Sequence, residues 1–120
     1  MQVTALVLAF LGCVAIVGIG VRFLLAPRRA TLDFGVSEDN IRALTAIKGA
    51  RDITSGIVPI VVWAAAGPVA LGWALVAASL TPIADAVIVM RNGGKPATAL
   101  GIHGLTAAVL VAVGLVLVLG

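Results

Sequence analysis

Four apolar stretches, each closed by proline, glycine or arginine, constrain this 120-residue chain more than any other feature. A helix needs roughly 20 apolar residues to cross a hydrocarbon core of about 30 Å. Stretches of that kind fall at residues 3–26, 46–66, 69–90 and 97–119. Pro27-Arg28-Arg29 ends the first, Gly67-Pro68 divides the second from the third, and Arg91-Asn92-Gly93-Gly94-Lys95-Pro96 forms a turn before the fourth. A water-soluble domain of this size would need a polar coat. With 62% hydrophobic and 11% charged residues and a mean hydropathy of +1.23, the chain has none to spare. The expected fold is therefore all-α: a polytopic membrane protein of one domain, residues 1–120, built as a four-transmembrane-helix bundle. No internal repeat or low-complexity tail interrupts it.

Charge sets the expected orientation. Four spans put the loop at residues 27–45 and the turn at residues 91–96 on one side, with both termini and Gly67-Pro68 on the other. Arg22, Arg28, Arg29, Arg42, Lys48, Arg51, Arg91 and Lys95 all fall toward the two-loop side. By the positive-inside rule that side is cytoplasmic and both termini lie on the non-cytoplasmic side. Trp63 and Trp73 flank Gly67-Pro68, where amphipathic rings suit the outer headgroups. The net charge of +3 is thus accounted for by membrane orientation, without a nucleic-acid partner. The arginines follow the first apolar run instead of preceding it, so that segment is expected to be a retained span and not a cleaved signal peptide.

In the loop, Ser37 is expected to cap a helix whose first turn holds Glu38 and Asp39, acids that suit the positive end of a helix dipole. Ile41, Leu44 and Ile47 continue the pattern, and Glu38 with Arg42 would make an exposed pair of small value. Cys13, the single cysteine, excludes an intrachain disulfide and reads as a packing residue. Gly12, Gly18, Gly20, Gly101, Gly104 and Gly114 read as positions of close helix packing.

Polar side chains inside the spans are the informative exceptions, because the bilayer core penalises them. On the second span Lys48, Arg51, Asp52, Ser55 and Pro59 recur at i, i+3, i+4, i+7 and i+11, one face of a helix. On the third, Thr81 and Asp85 share a face; on the fourth, His103 and Thr106 do. Arg22 lies about one turn inside the cytoplasmic end of the first span. Each span thus carries an ionisable residue at similar shallow depth, and burial favours their meeting one another rather than lipid. Snorkelling to the interface accounts for Arg22 and Lys48, but a short carboxylate reaches less far, which singles out Asp52 and Asp85. Arg22, Lys48, Arg51 and His103 are all candidate partners for these acids. For His103, a structural hydrogen bond between helices competes with a functional role. Pro59 and Pro82 withdraw backbone donors and can open space beside the cluster.

One histidine and one cysteine make no conventional zinc site, and a bis-histidine haem would require a second chain, so no metal or cofactor is expected. No nucleophile motif surrounds Ser55, and Gly93-Gly94 lacks a phosphate-loop context.

The run Arg42-Ala-Leu-Thr-Ala-Ile-Lys48-Gly-Ala-Arg51-Asp52-Ile-Thr-Ser55-Gly56, together with Asp85 and His103, resembles a family of small four-span bacterial and fungal membrane proteins of unknown function. Its most specific part is Lys48-Gly49-Ala50-Arg51-Asp52 with Gly56. In size and span pattern the chain is also similar to the DoxX-like group, some members of which are associated with quinone-linked or redox complexes. That resemblance implies a setting and transfers no catalytic residue.

The leading expectation is a pocket in the cytoplasmic leaflet that takes a small lipophilic or amphipathic molecule. Asp52, Asp85 and His103 would transfer protons in an isomerisation or cyclisation, while Arg51, Lys48, Arg22, Ser55, Thr81 and Thr106 would bind or orient. Two other classes stand beside it: a proton-coupled transporter acting as a homodimer, and a non-catalytic accessory subunit of a membrane complex.

Overall fold

The computed structural model describes residues 2–120, with the side chains of residues 5, 8–10, 12, 13 and 15 outside the described set. The packing roles expected of Gly12 and Cys13 therefore lie outside the described residues. All described regular structure is helical: α1 Gln2–Leu25, α2 Pro27–Phe34, α3 Ile41–Ala78, α4 Leu80–Arg91, α5 Pro96–Thr98, a π-helical segment Ala99–Gly104, and α6 Leu105–Leu119. Two compact units divide the chain, Met1–Ala50 and Arg51–Gly120, with the division falling inside α3.

Two helical runs, Ile41–Arg91 and Pro96–Leu119, are long and apolar enough to cross a membrane. Burial separates them from the core helices of a water-soluble domain, which are mostly covered. Only 6% of the first apolar window and 11% of the second are buried. Among the described residues the buried apolar side chains are three alanines, Ala30, Ala99 and Ala107, and Pro82, while Leu25 and Leu119 are more than four-fifths exposed. A surface of this kind is stable when its solvent is apolar.

In the first unit the region expected as a plain loop contains a helix. Pro27 sits in its first turn, where a missing N–H costs nothing. Gly35, at φ 105°, stops it in a Schellman arrangement: the Gly35 N–H donates to the Leu32 carbonyl and the Val36 N–H to that of Thr31. The helix packs on the end of α1, with Phe23 and Phe34 edge to face at 6.2 Å.

Two expectations for this segment need correction. Asn40, not Ser37, caps α3, its Oδ1 accepting the Ala43 N–H at 3.0 Å; the Ser37 hydroxyl donates to Asp39 instead. Glu38 pairs with Arg28 rather than Arg42, accepting from Arg28 Nε at 2.6 and 2.8 Å. The α2 fold-back, which a loop would not supply, delivers that guanidinium. The resulting hydrogen bond holds the Glu38 carboxyl below its ordinary pKa and raises that of Arg28.

In the second unit, α3 passes Pro59 without losing helical form and breaks at Gly67, whose φ of 82° and ψ of −174° only glycine adopts readily. Pro68 restarts the helix. The expected third span is itself loosened at Ser79, between α3 and α4. Pro82 has no N–H to give to the Ala78 carbonyl, so the helical ladder is interrupted there. The Ser79 hydroxyl turns back to the Val76 carbonyl at 2.7 Å, which keeps a buried polar group satisfied.

Candidate functional site

The second unit builds its site on a helical hairpin. At the end of α4, Gly93 takes φ 76° and the Gly94 N–H donates to the Val89 carbonyl, turning the chain into α5. α4 then packs along α5, the π-helical segment and α6. At the far end of the hairpin the α3 and α6 backbones nearly touch. A Cβ added to Gly72 would lie 2.6 Å from the Gly114 carbonyl oxygen, and one added to Gly114 would lie 2.7 Å from that of Gly72. Small residues let membrane helices approach this closely.

Buried positions trace the facing stripes: Gly72, Ser79 and Pro82 on one arm, and Ala99, Ala107 and Gly114 on the other. Asp85 follows Pro82 by three residues, and His103 stands midway between Ala99 and Ala107. Both side chains are partly covered, His103 to 29% exposure and Asp85 to 35%. Asp85 Oδ2 and His103 Nδ1 lie 3.9 Å apart, within ion-pair range and beyond direct hydrogen-bond length.

The π-helical segment explains how His103 reaches this stripe. Eight residues of regular α-helix would rotate Ala107 roughly 80° past the face of Ala99. The wider turn takes up that excess, and Ala99, His103 and Ala107 share one face. Its signature is the Leu105 N–H, which reaches the Leu100 carbonyl five residues back as well as that of Ile102. Gly101 and Gly104 flank the histidine. Single π-turns of this kind occur often at functional sites.

The other predicted site residues are placed as follows. Thr81 is exposed on α4, one turn before Asp85. Thr106 donates its hydroxyl to the Ile102 carbonyl at 2.6 Å, so that proton serves its own helix. Lys48, Arg51, Asp52 and Ser55 are exposed along an unbroken part of α3, at the spacing that shares a face. Arg22 belongs to the first unit, where its guanidinium pairs with Asp33 of α2. That pair lines a cleft of about 230 Å³ between α1 and α2, walled by Ile19, Phe23, Ala30 and Phe34.

Sequence reasoning missed Asp33, the α1–α2 cleft and the π-turn. The helix carrying Asp33 had a readable signal, proline in a first turn and glycine eight residues later. The π-turn had none beyond a glycine on either side of His103.

The chain matches the family described as a domain of unknown function (DUF4267) over residues 13–117, and it belongs to that family. Nothing in this match links it to the DoxX-like group. No curated protein and no solved structure matches the chain.

Proposed function

We propose that this DUF4267 member is a four-span integral membrane protein whose Asp85–His103 pair performs acid/base chemistry on a small lipophilic molecule. The carrying observation is the 3.9 Å approach of His103 Nδ1 to Asp85 Oδ2 between two stripes of small residues, at a π-turn. Ionisable groups held inside an apolar segment are costly, and such a pair is accounted for more readily by function than by stability. Beside a carboxylate, a neutral imidazole accepts a proton on one nitrogen and donates one from the other. A proton removed from one position of a bound molecule can then be returned at another. The balanced outcome is an isomerisation or cyclisation that consumes no co-reactant.

Topology enters the same reading. α1 spans 24 residues, Gly67 divides the Ile41–Arg91 run into two segments of membrane-crossing length, and Pro96–Leu119 supplies the fourth. Cations cluster at the α1–α3 connection and at the α4–α5 turn, while the Gly67 break and both chain ends carry none. On this reading, and by the positive-inside rule, the termini lie on the non-cytoplasmic side of a cell membrane and the dyad in the cytoplasmic leaflet.

The test compares wild type with Asp85→Asn and His103→Gln, each purified into phosphatidylcholine nanodiscs. Apolar molecules retained from the host membrane are extracted and identified by mass spectrometry, with circular dichroism as the folding control. A discrete compound held by wild type and lost from both folded variants is the expected result. Equal retention by all three would refute the proposal.

A further inference from the structure

We infer that the molecule taken by the Asp85–His103 pair is a lipophilic alcohol, whose hydroxyl bridges the two side chains. This rests on the acid/base reading above and adds the chemistry of the ligand.

At 3.9 Å, Nδ1 and Oδ2 are too far apart for a direct hydrogen bond, and a polar contact of that length calls for an atom between them. An oxygen about 2.8 Å from each closes the triangle, with an angle of about 90° at the oxygen. Its chemistry follows from the two ends when Asp85 is ionised and Nδ1 carries the imidazole proton. An ionised carboxylate only accepts, and an Nδ1–H only donates, so the bridging group must do both. A ketone or ether accepts and leaves Asp85 without a donor. An ammonium donates and leaves the Nδ1–H without an acceptor. A carboxylate repels Asp85. A hydroxyl satisfies both ends at once, and it leaves the Nε2 lone pair of His103 available as the base.

The facing residues beside the pair are Ala99, Ala107, Ser79 and Pro82, all buried and small or compact. The Thr106 hydroxyl proton is committed to Ile102, and that of Ser79 to Val76, so neither residue supplies the bridging donor. Half-exposed Ile88, three residues beyond Asp85 and on its face of α4, offers an apolar body a contact. Arg91 and Lys95, the other charged groups on these elements, sit at the hairpin turn.

His103 is the single histidine of the chain, so ¹⁵N-histidine labelling reports this imidazole alone. The experiment uses the full chain in nanodiscs of phosphatidylcholine, a lipid without hydroxyls, titrated in parallel with 1-dodecanol, dodecyl methyl ether and 2-dodecanone. Dodecanol is expected to shift the His103 Nδ1 resonance saturably, at a concentration about tenfold below any effect of the ether or ketone, the worth of roughly one well-made hydrogen bond. Asp85→Asn should abolish that selectivity. An equal response to the ether, or an unchanged response in Asp85→Asn, overturns the inference. A response to the ketone in place of the alcohol overturns it too, while leaving the acid/base pocket standing. No response to any probe means that water bridges the pair or that the side chains close directly, and this also overturns the inference. The pocket itself falls only if retained compounds are equal across the nanodisc variants.

Discussion

Replacing Gly114 with alanine tests the geometry on which the Asp85–His103 site depends. The new methyl would stand 2.7 Å from the Gly72 carbonyl oxygen, 2.8 Å from Val76 Cγ2 and 3.3 Å from the Val76 nitrogen. Two of these three contacts are with backbone, so no rotamer change relieves them. Reaching an ordinary carbon–oxygen contact of about 3.5 Å requires the α3 and α6 backbones to separate by close to 1 Å. Overpacking of this kind costs about 2–3 kcal/mol, and the better helix propensity of alanine returns up to about 1. A net loss of about 1–2 kcal/mol is expected for Gly114→Ala. Gly72→Ala should behave alike, since its methyl would meet the Gly114 carbonyl at 2.6 Å. The double variant should cost less than the sum, because the first substitution already parts the helices. Gly56→Ala is the control: nothing lies within 4 Å of its added methyl, so it should be neutral or stabilising by up to about 1 kcal/mol. Equilibrium unfolding in mixed micelles measures all four. If Gly114→Ala is as stable as Gly56→Ala, the close crossing is not part of the native structure, and the register that aligns Asp85 with His103 loses its basis.

Three further outcomes follow from local geometry. Gly67→Ala places a side chain at φ 82° and ψ −174°, and should cost about 1–3 kcal/mol in the same unfolding assay. Asn40→Ala removes the acceptor for the Ala43 N–H at the start of α3; a loss of about 1 kcal/mol and faster amide exchange over the first turn are expected. The Arg28–Glu38 pair should respond to pH. Because the hydrogen bond from Arg28 lowers the Glu38 pKa, its contribution is complete at neutral pH and disappears as pH falls through that lowered value, below the ordinary carboxylate range. Hydrogen exchange of α2 should rise over that interval and with added salt, and Glu38→Gln should remove the pH dependence.

How much could be read in advance differs from residue to residue. Helical segments at the apolar stretches, the break at Gly67-Pro68 and the turn at Gly93-Gly94 follow from local composition, because a helix satisfies its own backbone and these residues interrupt it in known ways. A cap at Ser37 would start α3 a few residues before its observed start at Ile41. Ser37, Asp39 and Asn40 are all competent caps, and choosing among them depends on where α2 ends. Sequence spacing hides the Glu38 partner for the same reason, since Arg28 reaches it only once the Pro27–Phe34 helix has formed.

Long-range pairing is a different kind of information. Several cations and one imidazole were equally eligible partners for the acids, and sequence spacing fixes only which residues share a helix face. Whether two faces meet depends on the rotation and axial register of the helices, set here by the Gly72–Gly114 approach and by the π-turn at Ala99–Gly104. Composition and periodicity alone determined that the chain is helical and clothed in apolar side chains, because both follow from each residue's own preference for solvent and backbone conformation. Tertiary structure alone decided that Arg22 turns to Asp33 while Asp85 turns to His103. Those contacts join residues on different helices, and their energies exist only after the backbones have been brought together.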